Sequence, residues 1–193
     1  MKINIRLHNL YSKHFDSALS NKSDLSVSSP LLIKIDEEKY LNSSRKVMIF
    51  GQETFGWHKE FGSKHIDELM NKYDDYMNKN RKKNTRAFWK GFNYFKEEID
   101  KLSNGRDNYY IWNNIVKFGK VGERGMTEGI RNFERKNFSV ISDEVKILKP
   151  DMIVFFTGPN RDKDIKFNFE DVSFDSCGYP KTIQDKRKKI GVR

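Results

Sequence analysis

The chain has 193 residues and a formal net charge of +10, because 37 Lys and Arg residues stand against 27 Asp and Glu residues. This length fits one domain with a substantial core and is short for two. The single cysteine, Cys177, excludes an intrachain disulfide and a cysteine zinc cluster, and it fits a reducing compartment. No apolar run approaches the roughly 20 residues that a membrane helix requires, and the chain does not begin with an apolar signal core. We therefore expect a cytoplasmic protein that is not inserted in a membrane.

The positive charge points to partners that carry phosphate groups. A basic surface raises the local concentration of such partners, and nucleic acid is the first candidate. The run Arg81, Lys82 and Lys83 supplies candidate nucleic-acid-binding residues, and a second basic run occupies residues 185–189. The alternative is a coding bias toward Lys, Asn and Ile, which would give a basic surface without a binding role.

The first thirty residues differ in composition from those that follow. Polar clusters at residues 20–24 and 26–30 favour a weakly ordered or cap-like lead segment, residues 1–30, over a core element, with one helix near residues 9–18. Residues 31–193 are expected to form a single α/β domain. Residues 31–35 are apolar and precede three acidic residues, so they fit a helix or an edge element, and both alternatives stay open.

The rest of the sequence alternates apolar strands with helical patterns. In chain order, the predicted elements are a strand at 46–50, a helix within 61–77, a helix at 85–103, a strand at 108–114, a flexible loop at 119–129, a helix at 133–148 and a strand at 152–156. Aromatic residues recur at helical spacing over 85–103, and we interpret this stripe as core rather than as a base-stacking platform. Residues 165–169 and 172–174 fit either a short helix or strands. Because crossovers between parallel strands are right-handed, this order predicts a three-layer α/β/α sandwich with a central, mostly parallel sheet.

Polar residues follow each of the three predicted strands. Gly51, Gln52 and Glu53 end the first strand, Asn113 and Asn114 end the second, and a turn containing Gly158 follows the third. Ligands of open parallel sheets gather at this edge. A carboxylate can orient a water molecule, amides can pair with the edge of a planar heterocycle, and aromatic faces can stack on it. The alternative for Glu53 is a solvated acid in an ordinary strand-to-helix turn.

The segment Gly51-Gln52-Glu53-Thr54-Phe55-Gly56-Trp57 resembles the first motif of the uracil-DNA glycosylase superfamily, and the resemblance extends over residues 45–160. It implies a uracil-DNA glycosylase-like fold, with Glu53 at the position of the water-activating acid and one of the two asparagines pairing with a flipped base. Gly51 and Gly158 are then the backbone-turn residues. The base-binding candidates are Gln52, Phe55, Trp57, Asn113 and Asn114.

The sequence also departs from that superfamily in its pattern of residues. Thr54 replaces the expected proline, Glu53 is longer by one methylene than the usual Asp, and no His-Pro motif follows the last strand. The resemblance implies a DNA repair type of reaction, the hydrolysis of an N-glycosidic bond in DNA. Because the late histidine is missing, we expect uracil excision to be weak or absent.

Two other functions fit the same residues. One is a nucleic-acid-binding relative without catalysis, and the other is a small-molecule hydrolase or transferase on a similar sheet. The chain contains no phosphate-loop, HExxH, EF-hand or Gly-x-Ser-x-Gly pattern, and its acids and histidines show no metal-binding spacing. We therefore expect no cofactor and no metal, with DNA or a nucleobase-containing ligand as the partner.

Overall fold

A computed structural model describes residues 2–22, 24–54, 57–81 and 84–169. The strands in these ranges are β1 (Arg45–Gly51), β2 (Asn108–Asn114) and β3 (Met152–Phe155). The helices are α1 (Ile3–Ser20), α2 (Glu37–Asn42), α3 (Ile66–Asp75), α4 (Ala87–Leu102), α5 (Glu128–Asn137), α6 (Ile141–Leu148) and α7 (Asp162–Asn168). Several predictions concern Phe55, Lys82, Lys83, Cys177 and the basic run at 185–189, which lie outside the described residues.

The three strands form an all-parallel sheet in the order β2-β1-β3, which confirms the predicted strands and their direction. In the register, Gly51 pairs with Asn114 and Phe50 pairs with Phe155. Because β1 is paired on both sides, its residues from Val47 to Phe50 are fully buried, as their continuous apolar run predicts. The register brings the carboxyl ends of all three strands to one edge of the sheet.

Helices contact both faces of the sheet. Successive side chains of β2 point to opposite faces, so their contacts show which helix lies on which face. Tyr110 points toward α4, where its hydroxyl donates a 2.7 Å hydrogen bond to Asp100. Asn113 points the other way, and its amide donates a 2.9 Å hydrogen bond to Glu144 of α6. Tyr11 of α1 donates to the same carboxylate over 2.7 Å. The fold is therefore α/β, with α4 on one face and α1 and α6 on the other.

Helix α1 is longer than predicted and belongs to the core. It covers residues 3–20 instead of 9–18, and it buries Leu7, Tyr11, Phe15 and Ala18 against the same hydrophobic cluster as the strands. Their spacing of three and four residues produces one apolar stripe. The expectation that this segment stays outside the core was wrong, because it gave weight to the polar clusters after the helix and missed the stripe within it.

Residues 31–35 adopt neither of the two predicted alternatives. They have no regular secondary structure, yet four of these five side chains are buried. The backbone amide of Leu31 donates to the carbonyl of Lys117 over 3.1 Å. The amide of Ile33 donates to the Tyr11 hydroxyl over 3.0 Å. These bonds to other elements satisfy buried backbone groups that a helix would pair internally and a strand would pair with its neighbour.

The predicted helix at 133–148 is two helices, α5 and α6, and this is a correction. Thr127 caps the start of α5 by accepting a hydrogen bond from the Ile130 amide over 3.2 Å, so α5 also takes the end of the predicted loop. Phe138 breaks the helical path with φ −142° and ψ 47°, and its side chain is fully buried. The chain leaves the helical conformation where this ring enters the core.

The other helical predictions hold in outline. Helix α4 matches the predicted helix at 85–103 and is followed by Asn104 and Gly105, which have φ values of 49° and 78°. Helix α3 continues as a π-helical turn over Tyr76–Asn80. Of the two alternatives for residues 165–169, the helix is correct, because they lie mostly in α7. No helix in the described ranges has the length and apolarity needed to cross a bilayer.

Candidate functional site

A pocket of about 1110 Å³ opens at the carboxyl edge of the sheet. Its inner end is formed by Gly51 at the end of β1, residues 52–54 after it, Asn114 of β2 and Phe156 after β3, and residues 84–89 at the start of α4 form one side. It therefore lies where ligands bind in open parallel sheets. Of the predicted site residues, Gly51, Gln52, Glu53, Trp57 and Asn114 line it.

The walls of the pocket are aromatic. Trp57, Trp89 and Trp112, which are all 3 tryptophans of the chain, line it together with Tyr76 and Phe88. The Trp89 and Trp112 rings meet edge to face with centroids 4.9 Å apart, and Trp57 meets Trp112 at 5.4 Å. Such edge-to-face packing fixes ring orientation. The aromatic stripe of α4 is thus partly core, as predicted, and partly pocket wall.

The two asparagines at the end of β2 have different environments. Asn113 is fully buried and does not line the pocket. Its amide nitrogen donates to Glu144, and its Oδ1 accepts from the Lys117 Nζ over 2.6 Å and from the Asn114 backbone amide over 2.8 Å. Asn113 is therefore committed to the face of the sheet opposite the pocket.

Asn114 faces the pocket. Its Oδ1 accepts a 3.0 Å hydrogen bond from the Trp112 indole, which fixes the orientation of the side-chain amide. The residue is 2 % exposed, and its Nδ2 has no hydrogen-bond partner in the described part of the chain. The sequence left both asparagines as candidates, and of the two only Asn114 lines the pocket.

At two positions other atoms come so close to the backbone that only glycine fits. A Cβ on Gly51 would lie 2.6 Å from the Asn114 Oδ1 and 3.1 Å from the Phe88 ring, so the absence of a side chain at this position lets Asn114 take its place. A Cβ on Gly119 would lie 2.4 Å from the Thr54 carbonyl oxygen. Gly51 was a predicted site residue, whereas no pattern in the sequence indicated the role of Gly119.

The turn after β3 uses the other predicted glycine. Gly158 has φ 67°, a conformation that favours glycine. Beside it, the Gln52 amide donates a 2.7 Å hydrogen bond to the Thr157 carbonyl. Gln52 therefore ties the loop after β1 to the turn after β3, in addition to lining the pocket.

Glu53 lines the pocket and is bound by an arginine that sequence reasoning missed. Nη2 of Arg161 donates a hydrogen bond to the Glu53 Oε2, and both side chains are mostly buried, with 12 % of Glu53 and 13 % of Arg161 exposed. Arg161 also lies 4.0 Å from Asp164. One feature of the sequence could have indicated Arg161, namely its position just after the turn that contains Gly158. The Glu53 carboxylate is therefore fixed by Arg161 and is not freely solvated.

Three buried polar atoms on pocket-lining residues lack a partner among the described residues. They are the Thr54 Oγ1, the Trp57 Nε1 and the Asn114 Nδ2. Buried polar groups in native proteins are nearly always hydrogen-bonded, and each exception calls for an explanation. Two of the three are N–H donors, so the pocket suits a ligand that presents hydrogen-bond acceptors.

Arg81 does not belong to an exposed basic surface, and this corrects its predicted role. The residue is 8 % exposed. Its guanidinium donates to the Asn93 Oδ1 over 2.6 Å and lies 5.1 Å from the centre of the Phe92 ring, and burial lowers its pKa. The positive charges at the pocket come instead from Arg86 and Arg124, two exposed residues that line it.

The described ranges contain no cluster of three His, Cys, Asp or Glu side chains that could hold a metal ion.

Comparisons of the chain with protein-family models, with curated proteins and with solved structures find no match. The function of the pocket must therefore be inferred from its own chemistry.

Proposed function

We propose that the pocket binds a nucleobase and that the protein is a uracil-DNA glycosylase-like protein acting on DNA, with hydrolysis of an N-glycosidic bond as its reaction. The observation that carries the proposal is the Asn114 side-chain amide: its Oδ1 accepts from Trp112, and its Nδ2 has no partner among the residues that the structure describes. An oriented amide donor inside aromatic walls is suited to the edge and the faces of a base.

The donors of the pocket match a base with carbonyl groups. The Nδ2 of Asn114 and the Nε1 of Trp57 can each donate to one carbonyl oxygen, and uracil and thymine each carry two. The rings of Trp57, Trp89 and Trp112 supply the apolar surface. Ligand pockets span about 300–1,000 Å³, so the volume of about 1110 Å³ is ample for a base.

Glu53 is the residue placed to act on water. In the proposed reaction, its carboxylate accepts a proton from a water molecule as the water oxygen bonds to the sugar carbon, and the base leaves with the electron pair of the broken C–N bond. The contact with Arg161 fixes the carboxylate through Oε2 and adds positive charge beside the site. A positioned general base contributes about 10²–10⁴-fold in rate.

The same contact favours a second candidate, a nucleobase-binding relative without catalysis. Arg161 occupies one oxygen of the acid that would have to receive the proton. The sequence also lacks the late histidine of the superfamily, and losing one donor to a leaving anion costs about 10²–10³-fold in rate elsewhere. We therefore expect uracil release to be slow at best.

The experiment is a strand-cleavage assay on purified protein. Duplex and single-stranded oligonucleotides with uracil, hypoxanthine, xanthine or mispaired thymine are incubated and treated with alkali, which cleaves abasic sites. Slow release that disappears in Glu53→Gln supports the hydrolase. Binding without release, weakening as salt rises with a log–log slope of about −0.7 per phosphate contacted on a single strand, supports the non-catalytic relative. Absence of both contradicts the proposal and favours a small-molecule enzyme.

A further inference from the structure

The first turn of α4 forms one side of the pocket. Arg86, Ala87 and Phe88 all line it, and the helix continues for 16 residues. The first hydrogen bond of the helix runs from the Lys90 amide to the Arg86 carbonyl, so the amides of residues 87–89 precede any partner within the helix. The Arg86 side chain at the N-cap position makes no capping hydrogen bond, and no acidic residue lies in the first turn.

A second feature of the pocket, separate from this helix, also points to a ligand. Asn114 and Trp57 are 2 % and 8 % exposed, and each belongs to the pocket lining and has a side-chain N–H without a partner among the described residues. The Asn114 amide and the start of α4 are close together, because the Asn114 Oδ1 and the Phe88 ring lie 2.6 and 3.1 Å from the same point above Gly51. Both therefore border the same part of the pocket.

The charge of this side of the pocket suits an anion. Arg86 lies at the helix start, and Arg124 lines the pocket from the loop before α5. The acid in the lining is Glu53, whose carboxylate is already bound by Arg161. Helix N-termini bind phosphate through free amides and the helix dipole, and arginine adds charge-assisted hydrogen bonds.

We infer that the N-terminus of α4, with Arg86 and Arg124, is a phosphate subsite of the pocket. This inference rests on the proposed function: the base lies against Asn114, and a phosphate of the same nucleotide unit lies against residues 86–88. The pocket therefore recognises a nucleotide and not a free base. A mononucleotide phosphate and a phosphodiester of a DNA strand share this chemistry.

The test uses intrinsic tryptophan fluorescence, because all 3 tryptophans of the chain line the pocket. The probes are deoxyuridine, its 5′-monophosphate, a uracil-containing trinucleotide and inorganic phosphate. We expect the monophosphate to bind at least about tenfold more tightly than the nucleoside, a difference of about 1.4 kcal/mol. A trinucleotide that binds more tightly than the monophosphate identifies the phosphodiester of a strand as the source.

The discriminating variant is Arg86→Asp. Asp is a favoured N-cap residue, so the helix start should stay folded while its anion site is blocked by a carboxylate. The control is Lys13→Asp, the same change of charge at an exposed position of α1 that does not line the pocket. Arg86→Asp should abolish the advantage of the monophosphate, and Lys13→Asp should preserve it.

The outcomes separate this inference from the proposed function. Equal affinity for nucleoside and monophosphate overturns the phosphate subsite and leaves the base pocket standing. Binding of inorganic phosphate that is lost in Arg86→Asp, without binding of any nucleoside, supports the subsite and contradicts the base pocket. No response to any probe overturns both.

Discussion

The two faces of the sheet differ at the end of β2, where the neighbouring residues Asn113 and Asn114 point to opposite sides. On the Asn113 side, the polar groups of Lys117, Glu144 and Tyr11 are fully buried and hydrogen-bonded to one another. On the Asn114 side, buried donors face a pocket without partners among the described residues. A satisfied buried network stabilises the fold, whereas unsatisfied buried donors call for an explanation, and a ligand in the adjacent pocket is the one we propose. The proposed function therefore concerns the Asn114 face of the sheet.

The closed side contains a buried ion pair. Lys117 Nζ lies 2.7 Å from the Glu144 carboxylate, and both side chains are fully buried. Burial lowers the pKa of Lys117, and the neighbouring carboxylate opposes this shift. Burial also raises the pKa of Tyr11. Each member therefore depends on the others to offset the loss of solvent.

The largest expected effect is on this closed side. Lys117→Met leaves Glu144 buried without its cation, and the free energy of unfolding should fall by about 3–5 kcal/mol in urea denaturation. The matched control is Lys146→Met on α6, where the pair with Asp143 is exposed and the loss should be about 0–1 kcal/mol. Equal losses for the two variants would show that the buried network does not stabilise the fold.

The next effect concerns chemistry on the open side. If the protein releases a base, Glu53→Gln should lower turnover by about 10²–10⁴-fold and leave binding nearly unchanged, since glutamine keeps an acceptor for Arg161 but cannot take a proton. The control is Glu60→Gln, an exposed acid that does not line the pocket. Unchanged turnover in Glu53→Gln would make this acid structural.

A smaller effect compares the two asparagines directly. Asn114→Asp replaces a donor with an acceptor, so affinity for deoxyuridine should fall by about 10–100-fold, while the Trp112 indole keeps an oxygen to bind. Asn113→Asp places a second carboxylate 2.9 Å from Glu144, and it should lower stability without changing which base is preferred. Fluorescence titration and urea denaturation measure both variants. The reverse pattern would assign the reading role to Asn113.

A further effect, on the closed side, is a pH dependence of stability. Burial raises the pKa of Glu134 from 4.5 to about 8, against the hydrogen bonds it accepts from the Lys117 and Phe118 amides. The folded state then holds a proton that the unfolded state releases, so this contribution is present below about pH 4.5 and is lost as pH rises toward 8. Glu134→Gln should flatten the slope of unfolding free energy between pH 5 and 8. An unchanged slope would contradict the shift.

Local patterns in the sequence were enough to predict the sheet and α4. The apolar run of β1 and the aromatic stripe of α4 carry their structure in residue order, and side-chain alternation predicts that only one of Asn113 and Asn114 reaches a ligand. Which one does so depends on the side of the sheet that α4 covers. The side that α4 covers is set by tertiary packing, so the residues of the strand alone do not predict it.

The contacts that sequence reasoning missed join distant positions. Glu53 and Arg161 are 108 residues apart, and Tyr11 and Glu144 are 133 apart, so no spacing rule connects them. Arg81 shows the opposite error, because its basic run suggested a surface and the fold buries it. The helix α1 could have been predicted from its own stripe. These two long-range contacts could not.

The central claim is that the Asn114 side chain, and not that of Asn113, contacts a nucleobase. The most direct measurement is a two-dimensional ¹⁵N–¹H NMR titration of the side-chain amides with deoxyuridine, assigned with Asn113→Asp and Asn114→Asp. The structure predicts that the Asn114 amide resonances shift with saturation while those of Asn113 stay in place, because Asn113 is sealed by Glu144 and Lys117. Unmoved Asn114 resonances at saturating ligand, or shifts confined to Asn113, would contradict the account.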